Sequence, residues 1–263
     1  MGGSDEVAEL HRLSGRALVA LFGEAPGAEI RLADGCALGL SGERVADLNM
    51  LLLGAPAAEA EAFLDEAMAR AEARGLDLLA MMTPAVAQAL AGPAERHGLI
   101  RAGEVPLMVL RGSAEVRLGR TCRIEEARDS ATARIAGDLA AAAFDLPRDA
   151  VGRVLDPLIT PTSTASVYVA FAGDEPMSSV TVTRTGDTAG IWTMATPPAH
   201  QGKGMGRALL SRIIERLRHE GVGRFYLFAT AAGFPLYTSL GFVTLAEDAA
   251  WVKGSSTQTH GWA

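Results

Sequence analysis

Alternating apolar and polar residues in the second half of the chain predict three consecutive β-strands. These strands cover residues 166–171, 179–183 and 191–196, with turns predicted at 173–176 and at Gly186. Two prolines directly after residue 196 end the third strand, because proline has no N–H group to donate to a sheet. Strands joined by such short turns pair with their neighbours, so the pattern predicts an antiparallel meander.

A mixture of helical and strand patterns surrounds this meander. Apolar residues recur at helical spacing on one face of a predicted helix, at Leu209, Leu210, Ile213, Ile214 and Leu217. A strand at 224–229, a short helix at 234–240 and a last strand near Trp251 follow. Before the meander, the alanine-rich residues 130–158 predict two short helices on either side of Pro147. The predicted class is therefore mixed α/β (α+β), with a largely antiparallel central sheet flanked by helices.

The first half of the chain repeats part of this order. A strand at 48–53, a helix stripe at 63–71, a strand at 77–81 and a last strand at 105–110 follow one another at similar spacings. We interpret this as an internal duplication with a shortened first copy. The alternative is that helix and strand order recurs by chance, as it does in many α/β proteins.

The duplication predicts how the chain divides into domains. The prediction is a degenerate first domain at residues 1–112, a linker at 113–120, a second domain at 121–254 and a tail at 255–263.

Composition and charge exclude several classes of protein. The 263 residues carry a net charge of −7 and include two cysteines, so we expect no nucleic-acid partner, no disulfide and no metal site. The N-terminus is polar and acidic, unlike a signal peptide, and no apolar run approaches the roughly 20 residues of a membrane span. The expected location is the cytoplasm, without a membrane partner.

The glycine-rich segment from Gln201 to Arg207 carries the clearest chemical signal. Its glycines alternate, at Gly202, Gly204 and Gly206, and it lies between a predicted strand and a strong predicted helix. Glycine lets a backbone approach a ligand closely, and free amides at a helix start favour a phosphate or pyrophosphate. A ligand-free glycine-rich turn is the plain alternative.

Two familiar phosphate-binding motifs do not fit this segment. A P-loop requires the pattern GxxxxGK[ST], which the segment lacks. A dinucleotide-binding fingerprint requires GxGxxG after a parallel strand, and here the third glycine comes one position early.

The segment resembles the signature of the GNAT superfamily of N-acyltransferases. Gln201, Gly204 and Gly206 occupy the signature positions, and His200 precedes them as in many members. Residues 236–242, Leu-Tyr-Thr-Ser-Leu-Gly-Phe, resemble the closing motif of the family. The resemblance covers about residues 120–254 and implies a GNAT-like fold in two tandem copies. In the first copy residues 56–61, which include the acidic Glu59 and Glu61, replace the phosphate loop, so we expect that copy not to bind coenzyme A in the usual way.

The resemblance implies a site for acetyl-CoA as co-substrate. The residues that it assigns to binding are Met194, Ala195, Thr196, Gln201, Gly202, Lys203, Gly204, Met205, Gly206, Arg207 and Thr230. Residues 194–196 would pair with the pantetheine arm, and the amides of 202–207 would hold the pyrophosphate, with charge from Lys203 and Arg207 at the rim. Thr230 stands where relatives often carry asparagine. Tyr237 matches the tyrosine that protonates the departing thiolate, although a core aromatic is the structural alternative.

The general base stays open at this stage. Relatives often place a glutamate on the fourth strand, but this strand offers Trp192, Thr193 and Met194. His200 and a water chain are the candidates. The family takes its acceptor contacts from loops that correspond here to residues 144–149 and 245–250.

Three functions remain open from the sequence. The first is an acetyl-CoA-dependent N-acetyltransferase acting on a primary amine of a small molecule or peptide by direct attack in a ternary complex. The second keeps the fold but uses a longer acyl-CoA, an acyl carrier protein or an aminoacyl-tRNA. The third is a coenzyme A-binding sensor or scaffold without catalysis. The protein is expected to be a monomer or homodimer.

Overall fold

A computed structural model describes residues 3–112, 122–159 and 163–254. The predicted linker (113–120) and tail (255–263) lie outside these residues. Seven α-helices occur in the described part, listed here as α1 to α7: Gly3–Phe22, Ala57–Ala73, Pro84–Arg96, Ser130–Phe144, Arg148–Leu155, Met205–His219 and Phe234–Ser239. Eleven strands occur there, listed as β1 to β11: Glu29–Ala33, Cys36–Leu40, Asn49–Leu53, Leu78–Met82, Ile100–Arg111, Arg123–Glu126, Ala165–Ala172, Glu175–Thr185, Thr188–Ala195, Arg224–Phe228 and Val243–Lys253.

The chain forms two compact units that are not contiguous in sequence. Unit 1 contains residues 3–107, 228–232 and 244–254, and unit 2 contains the other described residues. Most of β11 therefore belongs to unit 1, although it follows the elements of unit 2 along the chain. The contiguous two-domain division expected from the sequence stays a prediction.

Unit 1 is a sheet covered by helices. Its strand order is β1-β2-β3-β4-β11-β5, in which β3 and β4 run parallel and β4 and β11 run antiparallel. Leu64 and Met68 of α2 are fully buried in a core that also takes residues from β2, β3, β4 and α3. Burial of such side chains is worth roughly 1.5–3 kcal/mol each, so this core is the main stabilising element of the unit.

Unit 2 contains the predicted meander with one more strand at its edge. The order is β10-β9-β8-β7-β6, with only the β9–β10 pair parallel. The apolar stripe predicted for α6 is buried throughout. The helices α4 and α5 lie on either side of Pro147, as the sequence predicts. These findings confirm the predicted class, a largely antiparallel sheet flanked by helices.

One predicted turn is wrong in its extent. Only Gly173 and Asp174 form the turn, and β8 begins at Glu175 and includes Pro176. The pairing of β7 with β8 shifts register next to Pro176, between Ala170 and Phe171. Such an irregularity is where a strand tolerates a residue without an N–H group, and this explains why the proline does not end the strand.

Candidate active site

Strands β9 and β10 pair only over a short stretch, and we call the unpaired part beyond it the β9–β10 slot. Their parallel register contains three residue pairs and ends at Gly190 opposite Tyr226. A Cβ on Gly190 would lie 2.6 Å from Trp192 Nε1 and 2.9 Å from both Thr183 Oγ1 and Tyr226 Cζ. Only glycine fits there, so the last paired position is fixed by side chains that crowd it.

A bulge in β9 changes the direction of the backbone beside this slot. Thr181 of β8 pairs with Trp192, but Ser179 pairs with Ala195, so β9 has one extra residue between the two pairs. Thr193 has φ +45°, which a β-branched residue rarely adopts. A bulge leaves backbone groups unpaired with the neighbouring strand. The predicted pantetheine-binding residues Met194 and Ala195 follow Thr193 directly.

Thr196 joins the end of β9 to the glycine-rich segment. Its Oγ1 lies 2.8 Å from Ser178 Oγ, and Ser178 Oγ donates to the Ala195 carbonyl at 2.7 Å. Gln201 Nε2 donates to the Thr196 carbonyl at 3.1 Å. A Cβ on Gly206 would stand 3.0 Å from Thr196 Oγ1. These contacts hold residues 195–206 in one arrangement.

The glycine-rich segment ends in a helix start with free amides. Gly202 (φ +72°) and Gly204 (φ +77°) adopt the left-handed conformation, and Gly204 caps α6 without any side-chain hydrogen bond. The amide of Ala208 is bonded to the Gly204 carbonyl at 3.0 Å. The amides of residues 205–207 come before this first hydrogen bond of the helix. They therefore have no carbonyl partner within the helix. Together with the helix dipole they form a site suited to pyrophosphate.

Arg207, which was expected to supply charge at the rim of the pyrophosphate site, contacts a backbone carbonyl. Its guanidinium donates to the Ser239 carbonyl at 2.6 Å, at the C-terminal end of α7. Leu236 of the same short helix approaches Gly206, since a Cβ on that glycine would lie 3.8 Å from Leu236 Cδ2. Lys203 is exposed. The Arg207 side chain thus fastens α7 to the first turn of α6.

Tyr237 lies on this fastened helix and is buried. Its ring meets Phe242 edge-on with 5.9 Å between centroids. Burial raises the pKa of the Tyr237 hydroxyl well above its ordinary value. The phenol therefore remains protonated at neutral pH, which is the form that a proton donor requires.

The two remaining residues singled out from the sequence are Thr230 and His200. Thr230 belongs to unit 1, whereas the other predicted site residues belong to unit 2. His200 Nδ1 lies 4.0 Å from the exposed Glu175 carboxylate and has no hydrogen-bond partner in the described part of the chain.

Two features of the site were not predicted from the sequence, the role of Ser178 and the unusual conformation of Thr193. Ser178 is fully buried in a strand, and a buried serine must find a partner, so a serine directly before the predicted strand that begins with Ser179 was the available signal. Nothing in the sequence marks the bulge.

The equivalent place in unit 1 is closed. Strands β3 and β4 are also parallel, but they pair as far as Leu53 opposite Met82, and the Thr83 amide donates to the Leu53 carbonyl at 3.0 Å. Pro56 caps the following helix, whose first turn contains Glu59. Paired strand ends leave no unpaired backbone for a pantetheine arm, and a carboxylate in the first turn repels a phosphate.

No helix in the described residues is long and apolar enough to cross a membrane. The described residues also contain no group of three or more histidine, cysteine, aspartate or glutamate side chains arranged to hold a metal ion.

Part of the second half of the chain matches a known family model. Residues 163–244 match the family model described as "Acetyltransferase (GNAT) domain". The chain is 40% identical over 66 residues to the uncharacterized N-acetyltransferase ycf52 of Gracilaria tenuistipitata var. liui, covering 25% of this chain and 35% of that protein. It is 41% identical over 59 residues to the [Ribosomal protein bS18]-alanine N-acetyltransferase of Escherichia coli (strain K12), covering 21% of this chain and 40% of that protein. The chain thus spans well under half the length of these curated relatives.

Solved structures resemble the chain over nearly its whole length. A GCN5-related N-acetyltransferase from Kribbella flavida matches with a TM-score of 0.66 and 14% identity, covering 94% of this chain and 97% of that one. A tandem GNAT protein from the clavulanic acid biosynthesis pathway matches with a TM-score of 0.55 and 16% identity, covering 98% of both chains. At these identities the likeness concerns the fold. The chain therefore carries a GNAT acetyltransferase domain at residues 163–244, within a fold that resembles tandem GNAT proteins.

Proposed function

We propose that this protein is an N-acetyltransferase that moves the acetyl group of acetyl-CoA to a primary amine of a small molecule or peptide. The observation that carries the proposal is the slot between β9 and β10, which ends beside the free amides of the α6 start. A thioester arm in the slot and a pyrophosphate on the amides match the two halves of coenzyme A. The E. coli relative, by its name, acetylates an alanine of a ribosomal protein, which supports an amine acceptor.

The residues present fit each part of this co-substrate. The backbone of Met194 to Thr196, which lies beyond the last pair with β10, would bind the amides of the pantetheine arm, and an N–H there would polarise the thioester carbonyl. The amides of residues 202–207 would bind the pyrophosphate, and Gln201 would act by holding the Thr196 carbonyl.

The chemistry proposed is direct attack in a ternary complex. A neutral acceptor nitrogen forms a bond to the acetyl carbon, and collapse of the tetrahedral intermediate breaks the carbon–sulfur bond. The nitrogen loses one proton, and the departing thiolate takes one from the hydroxyl of Tyr237. His200 is the side chain proposed to accept the proton of the amine, directly or through water.

Two glycine variants test the donor site during catalysis. Gly202 and Gly186 are both exposed, both have left-handed φ angles (+72° and +61°), and a Cβ added at either position would have no neighbouring atom within 4 Å. Glutamate at either position brings the same strain and charge, but only Gly202→Glu places the charge at the proposed pyrophosphate site.

The assay is mass spectrometry of a panel of alkylamines, amino sugars and amino-terminal peptides incubated with acetyl-CoA. We expect an acetylated amine from the unaltered protein and from Gly186→Glu, and none from Gly202→Glu. Acetyl-CoA binding without acetylation of any panel member contradicts the proposal. Equal product from both variants contradicts the assignment of the loop.

A further inference from the structure

Buried side chains surround the place where β9 and β10 stop pairing. Gly190 of β9 lies opposite Tyr226 of β10 in the last pair, and a Cβ on Gly190 would touch both Tyr226 and Trp192, so these residues share one face of the sheet. Side chains alternate between the faces of a strand, so Ile191 and Leu227 lie on the other face. None of the four side chains is more than 9% exposed. Both faces of the inner end of the β9–β10 slot are therefore covered by large apolar groups.

The indole of Trp192 is held over Gly190. Its Nε1 would lie 2.6 Å from a Cβ at that position, so the missing side chain makes room for the ring. The indole N–H donates to Thr183 Oγ1 at 2.8 Å, and the ring meets Tyr226 edge-on with 6.1 Å between centroids. Moving the indole aside would break a buried hydrogen bond and an aromatic contact, so the ring is fixed above the last strand pair.

The proposed binding mode directs the acyl group toward this place. The pyrophosphate would lie at residues 202–207 and the pantetheine arm at 194–196, so the thioester end of the co-substrate points along β9 toward Trp192. Two residues of a strand span about 7 Å, so little length separates Met194 from Trp192. An acyl chain that continued in this direction would have to displace close-packed side chains.

We propose that Trp192 limits the acyl donor to acetyl-CoA and similarly short acyl-CoAs, and excludes chains of butyryl size and longer. The inference rests on the proposed function, and it distinguishes acetyl-CoA from the donors with larger acyl groups. Trp192 determines the length of the acyl chain, whereas the chemistry of the transfer depends on other groups. Thr183 is a positioning residue, because it acts by holding the indole.

Rates with acetyl-CoA, butyryl-CoA and hexanoyl-CoA measure this limit in the full chain. With an amine that the protein acetylates, we expect kcat/KM to fall about tenfold or more from acetyl-CoA to butyryl-CoA, and further with hexanoyl-CoA. Trp192→Leu should raise the hexanoyl-to-acetyl ratio of kcat/KM by about tenfold or more, because it removes the indole from above Gly190. Trp192→Phe keeps a ring at this position and should raise the ratio less.

Two further variants separate this role from a general loss of packing. Thr183→Val removes the acceptor of the indole N–H while Trp192 stays in the chain, and it should raise the ratio several-fold. Trp251→Leu is the matched control, because Trp251 is also buried but lies in the core of unit 1, and it should leave the ratio unchanged. Lost packing alone would lower the rates with every donor alike and would not move the ratio.

The Kd values of the same acyl-CoAs, measured by calorimetry, supply a readout without any acceptor. Kd should rise with acyl length in the unaltered protein and depend less on it in Trp192→Leu. If acetyl-CoA binds but no amine is acylated, the proposed function fails, and the Kd values alone then decide the limit. The inference is overturned if the unaltered protein accepts hexanoyl-CoA as well as acetyl-CoA, or if every folded variant of Trp192 and Thr183 keeps the unaltered ratio.

Discussion

Thr196 and Ser178 show how single hydroxyl groups shape the donor site. Ser178 Oγ contacts both the Ala195 carbonyl and Thr196 Oγ1, and it does so from a fully buried position on β8. A buried hydroxyl that bonds the backbone fixes that backbone, because losing the bond leaves an unsatisfied group. The end of β9 is therefore held from behind, on the side away from the slot.

Replacing Ser178 tests this arrangement. Ser178→Ala should raise KM for acetyl-CoA about fivefold, since about 1 kcal/mol of organisation is lost, and should change kcat less than twofold. Ser179→Ala is the matched control, because Ser179 is equally buried on the same strand but bonds to the Ala136 carbonyl at 3.3 Å. A KM that is the same in both variants would refute the role given to Ser178.

In the proposed mechanism, the proton transfer to the thiolate depends on Tyr237. Tyr237→Phe should lower kcat by about 10²-fold or more, because it removes the general acid, while the Kd of acetyl-CoA stays within about twofold. Tyr168→Phe is the control, since Tyr168 is a buried tyrosine of unit 2 whose pKa is also raised by burial. Unchanged kcat in Tyr237→Phe would mean that the tyrosine is only a core aromatic.

Among the elements, β9, α6 and α7 together build the site. The parallel pairing of β9 and β10 stops at Gly190, α6 begins where the chain leaves the slot, and Arg207 ties α7 to α6. The three elements are predictable from the sequence because each has a clear period or a punctuating glycine. The place where β9 and β10 stop pairing is not predictable from the sequence. It lies at Gly190, which is crowded by side chains from β8, β9 and β10.

Several elements were not predicted from the sequence, for identifiable reasons. Helix α3 contains Pro93 and much alanine, so its apolar stripe is weak. The first strand of unit 2, β6, has only four residues and is partly exposed. Helix α1 and the β1–β2 hairpin come before the repeated elements, so the repeat does not indicate them. In α3 and β6 the local periodicity is faint, and packing decides the structure.

The link between α6 and α7 can be tested by a double-mutant cycle. Arg207→Gln frees the Ser239 carbonyl and should lower kcat several-fold because Tyr237 is no longer held in place. In a Tyr237→Phe background the same change should have almost no further effect on kcat, since the two residues act through one group. Arg212→Gln, on the same helix, is the control. Fully additive effects would show that Arg207 does not position Tyr237.

At the scale of the whole molecule, the two units differ in one feature on which the proposed donor binding depends. Strands β9 and β10 separate in unit 2, whereas β3 and β4 stay paired to their ends in unit 1. The sequence indicated this difference through its phosphate loop, which is glycine-rich in the second half and acidic in the first. It did not indicate that β11 would belong to unit 1, because a strand's partner is a long-range property.

Isothermal titration calorimetry with acetyl-CoA tests the central claim most directly. The structure predicts one binding site per chain in the unaltered protein, the same stoichiometry in Gly186→Glu, and no binding in Gly202→Glu. Two sites per chain, or a heat of binding that survives in Gly202→Glu, would contradict the assignment of the acetyl-CoA site to the β9–β10 slot and the start of α6.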